Sequence, residues 1–504
     1  MIIPLERRGP RPVFRQIVDY LRRNIESGRL PAGTKLRPIR LLASELGVNR
    51  ETVADAYREL ETLGLTQSGV GRGTFVLGGP VAGPGTSPET ATAGTRPFVP
   101  VLSRAAAATL ALPAIDYGTE ARAVRFERVV PDPSLYPVEE FRKACNHVLR
   151  HGGRALLDYG DPRGHEGLRR LLVERLTAVG IETEADVVVL TAGSTQALAL
   201  VTRVFCDPGD AVVVEEPTYA GACAAFAALG VRPVAVPVRS DGLDLDALDT
   251  LLARAGARLL YTMPSFQNPT GITTTIEHRR RLLEITARHG VPVLEDDFEK
   301  DMRVRGRPVP PLKALDRSGQ VVYVGTFSKT LFPGVRIGWI VGPPRVASAA
   351  LGLKRATDLA SSLPLQAAVA HFCHTGAYDR HLRRVAKELG RRLDRAAAAL
   401  EAHLPEGSSF TRPEGGFAVW VTLPADVDTM ALLPDAKRAG VVYSPGVIFY
   451  TDGRRSSSLR LSIGQAGPDD IERGVRALCD AARAVLPRAK GRERPGRAAP
   501  AVHV

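Results

Sequence analysis

The sequence predicts a small helix-rich unit, a linker and a large α/β unit. At 504 residues the chain is longer than a single hydrophobic core normally serves, so at least two folded units are expected. Residues 79–113 are rich in Gly, Pro, Ala, Ser and Thr without a sustained hydrophobic period, which indicates a flexible linker. After it, short apolar runs alternate with helical stretches, as in a largely parallel sheet covered by helices. We therefore place the folded units at residues 10–78 and 114–487.

The first unit is predicted to contain three helices. Apolar residues recur at helical spacing within residues 12–30, and a second helix is expected over residues 39–46. Gly47 then allows a tight turn, and Asn49 is suited to cap a third helix. The buried face of that third helix is predicted to be Val53, Ala56, Tyr57, Leu60 and Leu63. The second and third helices together predict a helix-turn-helix.

A wing and a positive charge follow this helical pattern. Residues 65–77 read as two short strands joined by a glycine-rich tip that carries Arg72. Residues 1–78 carry 13 Lys and Arg against 8 Asp and Glu, a balance that suits contact with phosphate backbones. A bundle of three helices inside an enzyme would look similar, but the wing and the charge favour binding to double-stranded DNA.

The first unit resembles the GntR-type winged helix. In that family the polar start of the third helix enters the major groove and the wing tip approaches the minor groove. The resemblance implies that the DNA-binding residues are Arg40, Arg50, Thr52 and Arg72. The family usually has Leu-Pro-Ser-Ser/Glu-Arg before the second helix. This chain has Leu36-Arg-Pro-Ile-Arg40, so a serine that contacts phosphate is missing, and Arg37 is the expected substitute.

Lys329 is the residue of the second unit with the clearest chemical role. It follows a predicted strand at residues 321–324, and Arg336 lies seven positions further on, in Gly325-Thr-Phe-Ser-Lys-Thr-Leu-Phe-Pro-Gly-Val-Arg-Ile-Gly-Trp339. A lysine amine can hold an aldehyde cofactor while a nearby guanidinium binds its phosphate. The alternative is a surface lysine beside a structural arginine.

Other candidate residues follow neighbouring predicted strands, at the edge of a parallel sheet where ligands bind. Gly193, Ser194 and Thr195 begin a helix whose free amides can hold a phosphate, although such a start is also common in plain helices. Tyr219 offers an aromatic face for stacking or is part of the core. Asn268 lies on a rigid turn where it can donate to a ring oxygen.

A carboxylate completes this set. An electron-withdrawing pyridine ring must be protonated on its nitrogen, and an anion beneath it raises the pKa of that nitrogen. We assign Asp296 to this position, with Asp297 as the rival.

The segment around Lys329 resembles the Schiff-base segment of the fold-type I, aspartate-aminotransferase-like enzymes that use pyridoxal phosphate. The resemblance implies a Schiff base at Lys329. It also implies that Tyr159 reaches the phosphate of the partner subunit and that Arg460 pairs with a carboxylate of the substrate or effector. The alternative for Arg460 is a strand arginine paired with an acidic neighbour. The remaining cofactor-binding residues are Gly193, Ser194, Thr195, Tyr219, Asn268, Asp296 and Arg336.

Phe298 departs from the family pattern. Most relatives have a tyrosine here, whose hydroxyl shares the cofactor's ring oxygen with the asparagine, so Phe298 leaves Asn268 alone at that oxygen. We therefore hypothesise a site that holds the cofactor better than it turns over substrate.

The order of winged helix, linker and aminotransferase-like body resembles the MocR/GabR-type bacterial regulators. The resemblance implies a homodimer that binds a DNA operator and senses an amine, an amino acid or pyridoxal phosphate through Lys329. The alternative is an active aminotransferase with an accessory DNA-binding head. Arg460 favours an effector with a carboxylate, although an inherited arginine would look the same.

The remaining features concern the compartment and the chain end. The five cysteines are scattered without C-x-x-C pairs, which indicates neither a disulfide framework nor a zinc site. No signal-like start and no long apolar run are present, so we expect a cytoplasmic protein with no membrane partner. Residues 488–504 carry 5 Lys and Arg against 1 Glu, and the stretch 488–497 lacks apolar residues to fold, which predicts a disordered tail.

Overall fold

The structure is a computed structural model that describes residues 12–26, 30, 34–69, 73–77, 102–110, 115, 117–118 and 123–490. The chain divides into two compact units, Met1–Val99 and Pro100–Val504. Among the helices of the described residues, none has both the length and the apolar composition that crossing a membrane requires.

The first unit is a winged helix-turn-helix, as predicted. Its elements are α1 (Val13–Glu26), α2 (Ile39–Leu46), α3 (Arg50–Thr62), β1 (Thr66–Gly69) and β2 (Gly73–Val76). Gly47 ends α2 in the left-handed conformation, and the side chain of Asn49 accepts a hydrogen bond from the backbone N–H of Glu51 at the start of α3. The antiparallel wing pairs Thr66 with Val76. A core shared by all three helices holds this unit together.

Leu63 is one incorrect prediction in this unit. Its neighbours on the predicted face are buried, but Leu63 itself is 47% exposed. Helical spacing no longer predicts burial at this position, because α3 ends at Thr62 and Leu63 is its C-cap. The chain then turns through Gly64, which has a positive φ.

The second unit is built on an eight-stranded sheet. Its strands, in the order 4-11-10-9-8-5-6-7, are β4 (Val188–Thr191), β5 (Ala211–Glu216), β6 (Arg232–Arg239), β7 (Gly242–Leu243), β8 (Leu259–Thr262), β9 (Val293–Asp296), β10 (Val321–Thr326) and β11 (Gly338–Val341). The central strands are parallel, which confirms the predicted sheet, and β11 runs antiparallel to both of its neighbours. The sequence pattern missed β6 because Pro233 and Pro237 interrupt it and its residues are only partly buried.

A smaller sheet lies in the C-terminal part of the second unit. It contains β12 (Ser409–Phe410), β13 (Ala418–Thr422), β15 (Ser444–Pro445) and β16 (Ser458–Ser462) in the order 12-13-16-15, all antiparallel. A separate parallel pair joins β3 (Val124–Arg125) to β14 (Val441–Val442). This pair brings the chain before the large sheet next to the small one.

Helices cover both sheets. They are α4 (Arg104–Leu110), α5 (Val138–Gly152), α6 (Glu166–Thr177), α7 (Ser194–Phe205), α8 (Ala220–Ala228), α9 (Leu245–Ala255), α10 (Ile276–Arg288), α11 (Leu312–Leu315), α12 (Pro344–Arg355), α13 (Leu363–His374), α14 (Ala377–His403), α15 (Thr429–Arg438) and α16 (Pro468–Lys490). The last three and the small sheet share one hydrophobic core.

Two helices extend into segments that were predicted to be unstructured, one near the end of the linker and one at the start of the tail. Four consecutive alanines favour a helix, and Ser103 accepts a hydrogen bond from the N–H of Ala106, so α4 forms inside the predicted linker. The final helix α16 continues to Lys490, three residues into the predicted tail.

Candidate functional site

A cavity of about 290 Å³ lies at the carboxyl ends of the parallel strands. It brings together six of the predicted site residues and four further ones. The lining residues are Arg128, Val129, Val130, Ser194, Tyr219, Asn268, Asp296, Phe298, Lys329 and Arg460. The sheet topology explains this convergence, because the loops after β4, β5, β8, β9 and β10 all end at the same edge.

Lys329 lies in the turn that follows β10. Its Nζ donates a hydrogen bond to the backbone oxygen of Val129 at 2.5 Å. Burial lowers the pKa of the amine below its usual value, while the carboxylates of Glu299 and Asp296 act in the opposite direction. A lower pKa increases the share of neutral amine, which is the form that reacts with an aldehyde.

Asp296 ends β9 and points into the cavity. Its Oδ2 accepts a hydrogen bond from the Tyr261 hydroxyl at 2.9 Å, whereas its buried Oδ1 has no hydrogen-bond partner. Burial raises the pKa of this carboxyl to about 7. An unpartnered buried carboxylate oxygen is costly unless a bound cation completes it.

The rival Asp297 points away from the cavity. Adjacent side chains of an extended chain alternate between faces, so the two aspartates lie on opposite sides. Asp297 accepts a hydrogen bond from the Tyr323 hydroxyl at 3.0 Å, and the charges of Lys300 and Arg279 act on it. Of the two aspartates, only Asp296 lines the cavity.

Arg336 lies against Gly193 at the start of α7, and neither of these two residues lines the cavity. Gly193 precedes the helix with a φ of 93°, and a Cβ at this position would collide with the guanidinium of Arg336. That guanidinium donates to the backbone oxygen of Ala192 at 3.0 Å. Ser194 lines the cavity, whereas Thr195 is exposed one position further on. Free helix amides beside a guanidinium make a phosphate-binding arrangement.

Arg460 is a buried cation on β16. Nη1 donates to Asn268 Oδ1 at 2.9 Å, and Nη2 donates to the backbone oxygen of Glu127 at 2.7 Å and to Ser444 Oγ at 3.0 Å. Burial lowers its pKa, although a guanidinium remains charged in proteins. No carboxylate among the described residues forms an ion pair with Arg460, and its Nε has no hydrogen-bond partner. The carboxylates of Glu299 and Glu127 still act on its charge, so the alternative of a strand arginine beside an acidic neighbour stays open.

Two aromatic side chains complete the walls. Tyr219 immediately precedes α8, lines the cavity and also packs against the core, while its stacking on a ring stays a prediction. Phe298 is 7% exposed and lines the same cavity as Asn268. Position 298 therefore presents no hydroxyl to the cavity.

Tyr159 lies outside the cavity. It is 82% exposed in the single chain, in the loop before α6. The structure of one chain therefore does not bring it to the other site residues, and its role toward a partner subunit stays a prediction.

The sequence reasoning missed a buried carboxylate beside the cavity. Glu299 accepts a hydrogen bond from the backbone N–H of Phe417 at 3.1 Å, and its Oε1 has no partner. Burial raises its pKa, and the charges of Lys329 and Arg460 oppose that shift. No periodic pattern marks Glu299, since it follows the end of β9 in an irregular loop. Its closeness to Asp296 in sequence was the one available signal.

In the first unit, Arg40 and Arg50 are exposed and Thr52 is partly buried. Arg37 forms an ion pair with Glu45, so its guanidinium has an internal partner. The predicted wing residue Arg72 lies outside the described residues.

Both units match known families. Residues 14–76 match the bacterial regulatory proteins of the gntR family, and residues 130–478 match the family Aminotransferase class I and II. The chain is 32% identical over 491 residues to the probable rhizopine catabolism regulatory protein MocR of Rhizobium meliloti, covering 95% of each chain. The chain belongs to the MocR-type regulators. Its first unit is a GntR-type DNA-binding domain and its second an aminotransferase-like domain.

The second unit alone is similar to transaminases. It is 36% identical over 360 residues to a 2-aminoadipate transaminase of Thermus thermophilus, covering 71% of this chain and 89% of that one. Among solved structures it is similar to the kynurenine aminotransferase of Pyrococcus horikoshii in complex with PMP. That match has a TM-score of 0.70 and 34% identity, and covers 73% of this chain and 92% of the other.

The residues of this MocR-type regulator fit pyridoxal phosphate, the cofactor of its aminotransferase domain. The unpartnered Oδ1 of Asp296 suits a protonated ring nitrogen, and the space left by Gly193 beside Arg336 suits a phosphate. Lys329 supplies an amine with a lowered pKa. When bound, the cofactor supplies an electron-withdrawing ring and an aldehyde that reacts with amines.

Proposed function

We propose that this chain is a transcriptional regulator that senses an amino acid or amine at Lys329 and transmits the binding to its DNA-binding heads. The observation that carries the proposal is Arg460, a buried guanidinium that lines the same cavity as Lys329 and, among the described residues, forms no ion pair with a carboxylate. A buried charge normally requires a counter-ion, and an effector carboxylate would supply one. Sensing of pyridoxal phosphate alone would use this arginine only for its hydrogen bonds to Asn268, Ser444 and the backbone of Glu127.

The cofactor-binding residues are assigned as follows in this proposal. Lys329 holds the aldehyde, Asp296 the ring nitrogen and Asn268 the ring oxygen. Tyr219 stacks on the ring. The phosphate is held by Gly193, Ser194, Thr195 and Arg336, with Tyr159 reaching the phosphate of the partner subunit in a homodimer.

In this proposal Arg40, Arg50, Thr52 and Arg72 contact a DNA operator. The protein acts in the cytoplasm. Exposure of Arg40 and Arg50 on the helix-turn-helix supports this assignment. A duplex selected from a random pool by the full-length protein supplies the probe. Replacing Arg50 with Ala is expected to weaken binding about tenfold and to reduce its salt dependence by about one phosphate contact. Arg142→Ala, an exposed arginine of the second unit, is the control and should leave binding unchanged.

An active aminotransferase is the second candidate function. The presence of Asp296, Lys329 and Arg460 in one cavity favours it, whereas Phe298 favours a sensor. Turnover of the wild type with a panel of amino acids and a 2-oxo acid separates the two. Aminotransferase rates of about 1 per second or more would favour the enzyme, and rates far below that would favour the sensor.

A further inference from the structure

The charges that line the cavity leave two cations for a ligand. The lining residues include three cations, Arg128, Lys329 and Arg460, and one carboxylate, Asp296. The proposed function assigns Lys329 to the aldehyde of the cofactor and Asp296 to its ring nitrogen. Arg128 and Arg460 remain for a molecule that binds beside the cofactor, with the buried Glu299 carboxylate beside the cavity also acting on the charge of Arg460.

Both arginines are connected to β16, but the side chain of Arg460 is buried and that of Arg128 is exposed. Arg460 lies within β16, and Ser462 of the same strand donates a hydrogen bond from Oγ to the backbone oxygen of Arg128 at 2.7 Å. The backbone of Arg128 is thus fixed relative to Arg460. Its side chain is exposed and forms no ion pair with a carboxylate of the described residues.

Arg128 is also positioned next to the reacting lysine. The following residue, Val129, accepts the hydrogen bond from Lys329 Nζ. An amino acid bound at Lys329 therefore has its amine beside Val129, with one arginine buried in the wall and one at the exposed side of the cavity. This arrangement can hold a carboxylate at each end of the ligand.

We propose that Arg128 recognises a second carboxylate, and that the effector of this regulator is a dicarboxylic amino acid whose other carboxylate pairs with Arg460. The inference rests on the proposed function, because it requires an amino acid at Lys329. Arg128 is here a specificity-determining residue. A solvent-exposed arginine that does not contact the ligand would not distinguish a ligand carboxylate from an amide of the same shape.

The test compares L-glutamate with L-glutamine on the full-length protein loaded with pyridoxal phosphate. Binding is measured by calorimetry, with visible absorbance followed in the same samples. We expect wild type to bind glutamate about tenfold more tightly than glutamine, as a charge-assisted hydrogen bond at a partly exposed site allows. Arg128→Gln should bring the two affinities within about twofold, by weakening glutamate and leaving glutamine unchanged. Arg128→Lys should keep part of the preference.

Arg345→Gln is the matched control, since Arg345 is exposed on α12 and does not line the cavity. It should keep the wild-type preference. Equal affinities in wild type, or a preference that persists in Arg128→Gln, would overturn the role of Arg128. If amino acids bind without this preference, only the role of Arg128 fails. If no amino acid binds or changes the absorbance, the proposed function fails with it.

Discussion

Arg460 Nη1 donates a hydrogen bond to Asn268 Oδ1 across 2.9 Å, and this contact joins the two sheets of the second unit. Arg460 belongs to β16 of the small sheet, and Asn268 follows β8 of the large one. A carboxylate that binds the same guanidinium would compete with Asn268 for its protons. We infer that effector binding changes how the two sheets are held together, which gives it a route to bias the regulator between two states.

Removal of this guanidinium should separate effector binding from cofactor binding. Arg460→Gln is expected to weaken a carboxylate-bearing effector by about 2–5 kcal/mol, because the effector charge would be buried unpaired. The visible absorbance of the bound cofactor should remain, since Arg460 donates hydrogen bonds to Asn268, Ser444 and the backbone oxygen of Glu127 and none to Lys329. Calorimetry with the amino acid and absorbance with the cofactor measure the two effects. Unchanged effector affinity would contradict the role of Arg460.

The two neighbouring aspartates make a matched pair of variants. Asp296→Asn is expected to weaken pyridoxal phosphate binding at least about tenfold, because the ring nitrogen loses its anion. Asp297→Asn should leave the cofactor affinity near that of wild type, because its side chain bonds to Tyr323 on the other face of β9. Equilibrium dialysis of the cofactor compares them. A larger loss in Asp297→Asn would reverse the assignment.

Phe298 offers a gain-of-function test. On the proposed assignment Asn268 alone serves the cofactor's ring oxygen, and a tyrosine at position 298 would add a hydroxyl to the same cavity. Phe298→Tyr is therefore expected to raise transamination about tenfold or more and to move the pH at which the bound-cofactor absorbance changes. Rates and pH titrations of both proteins are the measurement. Fast and unchanged turnover in both would refute the idea that Phe298 blunts catalysis.

The stability of the second unit should fall in mild acid because of His381. Burial, with the nearby Arg384 guanidinium, lowers the pKa of this imidazole to about 4, with Glu140 and backbone hydrogen bonds to Thr330 and Leu331 opposing the shift. The unfolded chain therefore takes up this proton first as the pH falls below about 6.5, which favours unfolding until the folded state also binds it near pH 4.

His381→Gln should remove this part of the pH dependence. Between pH 7 and pH 5 the wild type is expected to lose about 1–2 kcal/mol more stability than the variant. Urea unfolding at both pH values measures the difference. Parallel losses in the two proteins would show that other groups cause the acid sensitivity.

The sequence was sufficient to predict most of the residues that line the cavity. Lys329, Asp296 and Asn268 each follow a strand of a parallel sheet, and such strand ends necessarily meet at one edge. Asn49 and Gly47 likewise mark the helix ends of the first unit through local chemistry. These features depend on short-range rules that a single chain displays.

Other features depend on contacts that sequence patterns do not display. Arg128 enters the site because β3 pairs with β14, more than three hundred residues later in the chain. Glu299 is placed by its bond to Phe417, in the loop before β13. Leu63 is exposed because the helix stops one residue earlier. Long-range pairing and helix ends decide these positions, and periodicity reports neither.

In the proposed function, binding of an amino acid or amine at Lys329 changes the affinity for DNA. The most direct measurement titrates the full-length protein with the effector in the presence of its selected duplex, recording visible absorbance and DNA affinity in the same samples. In wild type we expect the visible absorbance and the DNA affinity to change over the same range of effector concentration. In Lys329→Ala, DNA binding should persist while both responses disappear. A DNA affinity that responds equally in Lys329→Ala, or that never follows the absorbance in wild type, would contradict the account.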